Sequence, residues 1–309
     1  MKKLLHIGYG ESSLLPIFGL LLAVFFWGTS FIAMKVALRM LDPLVMVFGR
    51  MVLAALIFLL FHKKLRQFTY RQGDWKYLTL MALCEPCFYF VFESYALTYT
   101  TASQAGMVTA LLPLIVAVSA GMLLKEKTTL TTFLGFTIAV GGIVLITSQS
   151  LSSQDAPNPF LGNTLEFIAM CCAAGYTLLA RYLGTRYSPF FLTATQMFLG
   201  TLFFAPVLAF PSTNFPLHWP LIPTLAMLYL GTCVSFLAYG LFNYGLSKVP
   251  ASQASAYINL IPVISVLSGW LVLGESLTLL QFCGMGCVLL GVWISSSEIR
   301  CRKLQPSSI

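Results

Sequence analysis

The sequence predicts an all-α integral membrane protein with ten transmembrane helices arranged as two inverted five-helix repeats. Two observations lead to this fold class. First, 58% of the 309 residues are apolar and only 9% are charged, whereas about a quarter of the residues of a soluble globular protein are charged. Second, one long stretch of the chain occurs twice. A bilayer is therefore predicted to be the solvent, and a unit of several spans has been duplicated to cross it.

The duplicated stretch runs from Tyr95 to Gly142 and aligns without a gap on Tyr244 to Gly291, 149 positions later. Of its 48 aligned residues, 17 are identical. The earlier parts of the two halves align with a shift of 146, which pairs Lys35 with Arg181, Pro43 with Pro189 and Arg50 with Gln196. The identical pairs of the later part include Ala102-Ser103-Gln104-Ala105 with Ala251-Ser252-Gln253-Ala254, Pro113 with Pro262, Glu126 with Glu275, Gly135 with Gly284, and Gly142 with Gly291.

Ten apolar segments have about the 20 residues that a transmembrane helix needs. None shows the alternation of a membrane β-strand, so each is predicted to be a helix that satisfies its own backbone. In chain order, spans 1 to 10 are residues 16–38, 44–61, 75–97, 102–124, 129–147, 161–183, 190–210, 221–246, 251–273 and 277–296.

Basic residues set the predicted orientation, because cytoplasmic loops carry an excess of lysine and arginine. With the N-terminus inside, 15 basic residues lie at cytoplasmic ends, against only Lys35 and Arg39 at external ends. Both termini are therefore predicted to be cytoplasmic. Each half holds five spans, an odd number, so the second half enters the membrane from the opposite side. The predicted parts are a cytoplasmic tail (1–15), a first repeat (16–147), an external linker (148–160), a second repeat (161–296) and a cytoplasmic tail (297–309).

Composition argues against several other classes of function. The net charge of +8 comes from short basic clusters between apolar runs, which is not the pattern of a nucleic-acid-binding face. Cys84-x-x-Cys87 has no second pair or nearby histidine to complete a metal site. The chain has no G-x-x-x-x-G-K-[ST] run, so ATP is not expected to drive it directly. The sequence predicts no catalytic residue, no cofactor and no metal.

Inverted repeats favour a transporter. Two copies of one shape can adopt different conformations, and exchanging those conformations moves the access path across a fixed central site. The alternative is that duplication is only a simple way to build a helical bundle. In the inverted arrangement Glu126 is predicted at the cytoplasmic end of span 4, and Glu275 at the external end of span 9.

The same residues resemble a known family. The matching features are Trp27-Gly28-x-Ser30 in span 1, Arg50 in span 2, the two Ala-Ser-Gln-Ala openings, the paired prolines, and the paired glutamates that close spans 4 and 9. Over about residues 16 to 296 they look like the EamA family of the drug/metabolite transporter superfamily. The resemblance implies a bacterial inner-membrane carrier, often an exporter of amino acids and other small metabolites. It also implies a central cavity formed by spans 1, 3, 4, 6, 8 and 9, with spans 5 and 10 at the periphery.

The early second half departs from the family pattern. The position aligned with Trp27 is Ala173, with Tyr176 nearby, and Gln196 replaces a second Arg50.

Charged residues within spans need a reason, because each costs about 2.5–3.5 kcal/mol at the centre of a helix. Arg50 and Glu93 lie at similar depth and are predicted to pair, with substrate contact as the alternative for Arg50. Glu85 precedes Pro86, which is predicted to kink span 3 and to free a carbonyl. Glu85, Tyr89 and Glu93 follow at helical spacing, so they form one polar stripe.

Glu85 has two open interpretations. It is either a site for a substrate ammonium or a proton, or a protonated carboxyl that is hydrogen-bonded within the bundle. Glu166, near the external end of span 6, is expected to be solvated.

Other polar and aromatic groups complete the predicted site. The substrate-binding candidates share apolar surroundings and a need for hydrogen-bond partners, although bonding between helices explains each of them equally well. Pro113 and Pro262 are predicted to bend spans 4 and 9 and, with Arg50, to serve a structural or gating role. The substrate-binding candidates are Trp27, Glu85, Tyr89, Glu93, Tyr239, Asn243, Tyr257 and Asn259.

Together these features predict a secondary carrier in a bacterial inner membrane that exports amino acids or related amphipathic solutes. The expected partners are a small-molecule substrate, the lipid bilayer and, for coupling, protons through Glu85 or Glu93; no nucleic acid is expected. Glycines of spans 5 and 10 are predicted to pack these spans closely, within their own halves or against each other. A monomer and a homodimer both stay open. The rival classes are a membrane-embedded enzyme acting on lipids or isoprenoids, and a channel.

Overall fold

The computed structural model describes residues 14–61, 63, 70–124, 130–209, 215–216, 218–248 and 257–304. In this part of the chain the regular structure is helical and no strand occurs. The α-helices are α1 (Leu14–Leu38), α2 (Pro43–Leu60), α3 (Trp75–Ala82), α4 (Tyr89–Tyr99), α5 (Ala102–Val108), α6 (Leu112–Leu124), α7 (Leu130–Ser148), α8 (Pro159–Leu183), α9 (Pro189–Phe204), α10 (Leu221–Tyr229), α11 (Tyr239–Lys248), α12 (Ile261–Ser268) and α13 (Leu279–Leu304).

The helices make this a multi-pass membrane protein. Among the residues given above, seven helical stretches are long and apolar enough to cross a membrane: Leu14–Leu38, Pro43–Leu60, Trp75–Tyr99, Ala102–Ser119, Pro159–Leu183, Pro189–Ala209 and Leu221–Phe242. Three shorter apolar helices, Phe133–Ser148, Ile261–Leu273 and Leu279–Ile294, lie at the positions of predicted spans 5, 9 and 10. Many large apolar side chains lie on the outside of the bundle, where lipid is the expected solvent.

Three helices begin with the same local signal, a polar N-cap followed by proline. The cap side chain accepts a backbone N–H that the first turn leaves free, and proline has no N–H to satisfy at that position. The pairs are Asp42-Pro43 for α2, Asn158-Pro159 for α8 and Ser188-Pro189 for α9. These starts set the register of the helices that carry the site.

Glycines bring α7 and α13 into close contact. A Cβ added at Gly142 would lie 2.6 Å from the Gly284 carbonyl oxygen, and one at Gly291 would clash with the Gly135 carbonyl oxygen. Only a residue without a side chain fits such an approach. The predicted close packing of spans 5 and 10 is therefore confirmed, and they pack against each other.

The turns at the predicted cytoplasmic side are joined by Asp74, which lies before α3 and is buried. The guanidinium of Arg186 donates to Asp74 Oδ1 at 2.6 Å, and the Tyr187 hydroxyl donates to Asp74 Oδ2 at 3.1 Å. The hydrogen bond from Arg186 is the main reason that the pKa of Asp74 lies below its ordinary value. This cluster fixes the turn between α8 and α9 against the start of α3.

Replacing Asp74 by asparagine is expected to lower the melting temperature of the purified protein at neutral pH. The carboxylate has a lowered pKa in the folded protein, so its stabilisation is complete above the unfolded-state pKa of about 3.9 and disappears as the pH falls through the folded-state pKa. Thermal unfolding of both proteins should therefore show a difference at pH 7 that shrinks in acid. An equal difference at every pH would mean that the charge is not what stabilises the cluster.

Candidate functional site

The site is built around a break between α3 and α4. The connecting π-helical segment, Leu83–Phe88, contains Pro86, and Glu85 there has extended backbone angles of φ −146° and ψ 117°. The carbonyl of Glu85, which the break frees from the helix, accepts a hydrogen bond from Gln196 Nε2 of α9 at 2.7 Å. The kink predicted at Pro86 is confirmed. Gln196, which the sequence showed only as a departure from the family pattern, satisfies the broken backbone.

The carboxyl group of Glu85 lies against an aromatic wall. Glu85 is 6% exposed, and its Oε1 accepts a hydrogen bond from the hydroxyl of Tyr239, the first residue of α11. The Tyr239 ring packs edge-on against Trp27 of α1, with 5.2 Å between centroids. The Phe242 ring also packs against Trp27, with 4.8 Å between centroids. Three predicted site residues, from three separate helices, thus meet at one place.

Tyr89 and Glu93 lie about one and two turns after Glu85, in the first part of α4, and form a second polar group. The Tyr89 hydroxyl donates to Glu93 Oε1 at 2.8 Å. Glu93 is 2% exposed, and its Oε2 has no hydrogen-bond partner in the described part of the chain. The predicted stripe therefore divides: Glu85 bonds across the bundle to α11, whereas Tyr89 and Glu93 bond along their own helix.

Arg50 does not form the direct ion pair with Glu93 that the sequence predicts. Its Nε donates to the Ser235 hydroxyl at 2.7 Å, and its Nη1 donates to the sulfur of Met34 at 3.6 Å. Its guanidinium carbon lies 4.1 Å from the centroid of the Phe90 ring. The cation is buried and reaches Glu93 only through space. The pairing fails because equal depth does not fix the rotation of α2 about its axis, and Arg50 faces Ser235 in the π-helical segment Leu230–Ala238 of the neighbouring span.

The expectation that Glu166 is solvated is wrong. Its exposed fraction is 0%, and neither carboxyl oxygen has a hydrogen-bond partner among the residues described. The reason is the close approach of α8 to α4, where a Cβ added at Gly162 would lie 2.9 Å from the Ala96 carbonyl oxygen. That approach shields the first turns of α8 from solvent and places Glu166 inside the bundle.

The remaining predicted residues are less tightly connected to this cluster. Tyr257 is half-buried against the central apolar core, and Asn259 has a buried Oδ1 without a partner in the described structure. Pro113 follows a 3-10 turn, Thr109–Leu111, and Pro262 is the second residue of α12. The side chains of Asn243 and Glu126, and the whole of Ala251-Ser252-Gln253-Ala254, lie outside the described residues.

Charged side chains from α1 and from the segment after α12 hold the junction between α4 and α5, at the end predicted to be external. Glu275 accepts hydrogen bonds from the backbone N–H groups of Ala102 and Ser103, at 2.9 and 2.8 Å. Lys35 donates to the carbonyl oxygens of Leu97 and Thr100, at 2.6 and 2.7 Å. An anion at a helix N-terminus and a cation at a C-terminus are both electrostatically favourable. Glu275 therefore holds the N-terminus of α5 against the segment after α12, and this contact closes the structure at that end.

A polar cavity of about 360 Å³ adjoins this closure, lined in part by Lys35, Arg39, Asp155 and Glu275. In the part of the chain that the structure describes, no group of three His, Cys, Asp or Glu side chains is arranged to hold a metal ion. Sequence reasoning missed Ser235 and Gln196 as members of the site. The alignment of Gln196 with Arg50 in the repeat could have indicated Gln196, whereas no feature of the sequence singles out Ser235.

Comparison with known proteins gives consistent matches. The model of the EamA-like transporter family matches this chain over residues 14–148 and again over 160–297. An uncharacterized transporter of Archaeoglobus fulgidus is 31% identical over 281 residues, which are 89% of this chain and 96% of that protein. The uncharacterized transporter YetK of Bacillus subtilis is 30% identical over 203 residues, 65% of this chain and 62% of YetK.

More distant matches cover most of the chain. A chloroplastic WAT1-related protein of Arabidopsis thaliana is 26% identical over 299 residues, 92% of this chain and 70% of that protein. A solved crystal structure superposes with a TM-score of 0.64 over 94% of this chain and 99% of its own, at 16% identity. At that identity the likeness shows the fold alone.

Proposed function

We propose that this chain, which belongs to the EamA-like transporter family, is a secondary carrier that exports amino acids or related amphipathic metabolites across a bacterial inner membrane by alternating access. Membrane transport follows from the family and from relatives that are themselves named transporters. The substrate class, the direction and the mechanism are the parts proposed.

The observation that carries the substrate class is the buried Glu85 carboxyl beside Trp27, Tyr239 and Phe242. A carboxylate in an apolar site is the natural partner of a substrate ammonium group, and aromatic faces attract the same cation and pack against its apolar part. The hydroxyl of Tyr239 holds the carboxyl in place until the substrate arrives. Arg50 supplies a compensating positive charge nearby, which supports a role in holding the site.

The second part of the proposal concerns the motion. The family model matches the chain twice, which supports two copies of one unit, and an odd number of spans in each copy would invert the second one. We place both termini in the cytoplasm. The hydrogen bonds of Glu275 to the start of α5 then close the external end in this conformation. Transport opens that end, with Pro113 and Pro262 as the points of flexure.

The energy for export comes from a gradient, either that of the substrate or that of protons. Buried carboxyl groups are the parts of the site that can bind a proton during the cycle, since ionisable residues within membrane spans mark ion and proton paths. Glu85 and Glu93 are the candidates on the kinked span.

The proposal is tested by efflux from cells that are loaded with a mixed pool of labelled amino acids. Cells that produce the protein should lose one chemical class of solute faster than cells that produce the Glu85→Gln variant at the same level in the membrane. Glu298→Gln, which changes a carboxylate in the predicted cytoplasmic tail (297–309), is the matched control and should behave as wild type. Equal efflux of every solute from wild-type and Glu85→Gln cells would remove amino acid export as the function.

A further inference from the structure

We infer that Glu93 of α4 and Glu166 of α8 form a carboxyl pair that binds and releases the coupling proton, separate from the substrate site at Glu85. This inference rests on the proposed carrier function. It assigns the proton to a pair that includes Glu166, which the sequence predicts to be solvated but which the structure buries. It stands on where the two side chains lie, on their missing partners and on the balance of buried charge.

The two residues lie at the same depth on neighbouring antiparallel helices. At one end of the contact, the backbone N–H of Asn158 donates to the Tyr99 carbonyl at 3.2 Å. At the other end, a Cβ on Gly175 would lie 3.1 Å from the sulfur of Cys84. Residue numbers rise along α8 as they fall along α4, so the level of Glu166 corresponds to that of Glu93.

Three of the four oxygen atoms of this pair have no hydrogen-bond partner among the described residues: both of Glu166 and Oε2 of Glu93. Both side chains are buried, at 0% and 2% exposure. A buried carboxylate without a donor is strongly disfavoured, whereas a carboxyl that carries a proton is neutral and can itself donate. Two neighbouring carboxylates repel each other when both are ionised, so ionisation of one favours a proton on the other.

Among the residues that the structure describes, no cation forms an ion pair with either carboxyl. From α4 itself comes the hydroxyl of Tyr89; from α2 comes Arg50, which is engaged by Ser235 and Phe90. The helices over 102–119 and 130–148, which also pack against α8, carry no titratable side chain. The other titratable or charged groups on these elements are Lys35, bonded to carbonyls at the end of α4, Tyr95 and Tyr99 on α4, Cys84, Glu85 and Cys87 in the kink, Lys76 and Tyr77 at the exposed start of α3, and Cys171, Cys172, Tyr176, Arg181 and Tyr182 on α8.

Charge balance leads to the same assignment. The interior around the kink contains three carboxyl groups, Glu85, Glu93 and Glu166, and one guanidinium, Arg50. Ionisation of all three would leave two uncompensated negative charges at membrane depth, where an isolated charge is costly. The ammonium group of a substrate can compensate the charge of Glu85 locally, and a proton on the Glu93–Glu166 pair compensates the other. Binding converts one carboxylate to a carboxylic acid, and release toward the other side of the membrane regenerates it.

The protonation is measured by infrared spectroscopy of the purified full-length protein while the pH is raised from acid to alkali. Wild type should lose the carbonyl band of a protonated carboxylic acid. Glu166→Gln and Glu93→Gln should each lack a component of that band that Glu85→Gln retains, and Glu166→Asp should keep it at a shifted pH. An unchanged band in Glu166→Gln would overturn the inference. If sodium, compared with choline at equal ionic strength, shifts the pH at which the band disappears, the pair binds a metal cation, and the inference is overturned as well.

A transport measurement separates this inference from the proposed function. In liposomes, Glu166→Gln should exchange labelled for unlabelled solute at nearly the wild-type rate, yet lose about tenfold in the accumulation that a pH gradient drives, a typical coupling factor. Equal gradient-driven accumulation in both proteins would overturn the proton pair. Absence of exchange in wild type would instead count against the proposed carrier, and the infrared titration would then decide the pair. Glu298→Gln again serves as the control.

Discussion

Replacing Glu85 by glutamine is expected to weaken apparent substrate affinity by roughly 10- to 100-fold, because a hydrogen bond to a charged group contributes about 1.5–3 kcal/mol. Glutamine keeps the shape of the side chain and still accepts a hydrogen bond from the Tyr239 hydroxyl, so the fold should survive. What it loses is the charge that would bind a substrate ammonium. The concentration dependence of transport in liposomes measures the change.

Two controls separate charge from packing at Glu85. Tyr239→Phe keeps the ring against Trp27 but removes the hydroxyl that Glu85 accepts from, so a smaller loss of affinity is expected. Glu298→Gln removes a carboxylate of the predicted cytoplasmic tail and should leave transport unchanged. Normal affinity in Glu85→Gln would show that the carboxylate is only a structural member of the bundle.

Replacing Glu275 by alanine is expected to open the end of the protein that this conformation closes. The substitution removes two hydrogen bonds from a carboxylate to the N–H groups of Ala102 and Ser103. Since each such bond contributes about 1.5–3 kcal/mol, the population of molecules open at this end should rise at least about tenfold. Ser103, which is 1% exposed here, becomes accessible in those molecules.

A cysteine at position 103, placed in a background without the eight native cysteines, reports the opening. Its rate of reaction with a maleimide that cannot cross the membrane, added outside intact cells, should be low with Glu275 and much higher after Glu275→Ala. Glu275→Gln should give an intermediate rate, because the amide oxygen can still accept one of the two bonds. Equal rates in all three proteins would show that Glu275 does not hold the closed conformation.

Local features of the structure follow from the sequence. Proline after Glu85 predicts a break in the helix, and the break is there, with a carbonyl that needs a donor. Glycines at 142 and 284 predict close helices, and the two helices meet at those residues. In each case the cause lies in the backbone chemistry of the residue itself, so one position is enough to predict the effect.

Contacts between helices do not follow in the same way. Arg50 and Glu93 have similar depth, yet depth does not fix rotation about the helix axis, and Arg50 turns toward Ser235 instead. The π-helical segment that presents Ser235 has no proline to announce it, although it begins at Leu230, 147 residues after the first such segment begins at Leu83. The sequence predicts the wrong environment for Glu166 for a related reason. Its position near the end of span 6 predicts contact with solvent, but the neighbouring helix α4 covers it.

Counterflow by the purified protein in liposomes tests the central claim, that a carrier with a single alternating site occupies this fold. Liposomes are filled with one unlabelled candidate solute at high concentration, and uptake of the labelled solute from outside is followed. The account predicts saturable uptake that the internal solute accelerates and that Glu85→Gln weakens. Uptake that rises linearly with concentration and ignores the internal solute would contradict alternating access and indicate a channel, and no uptake of any solute by folded protein would contradict a carrier of small metabolites.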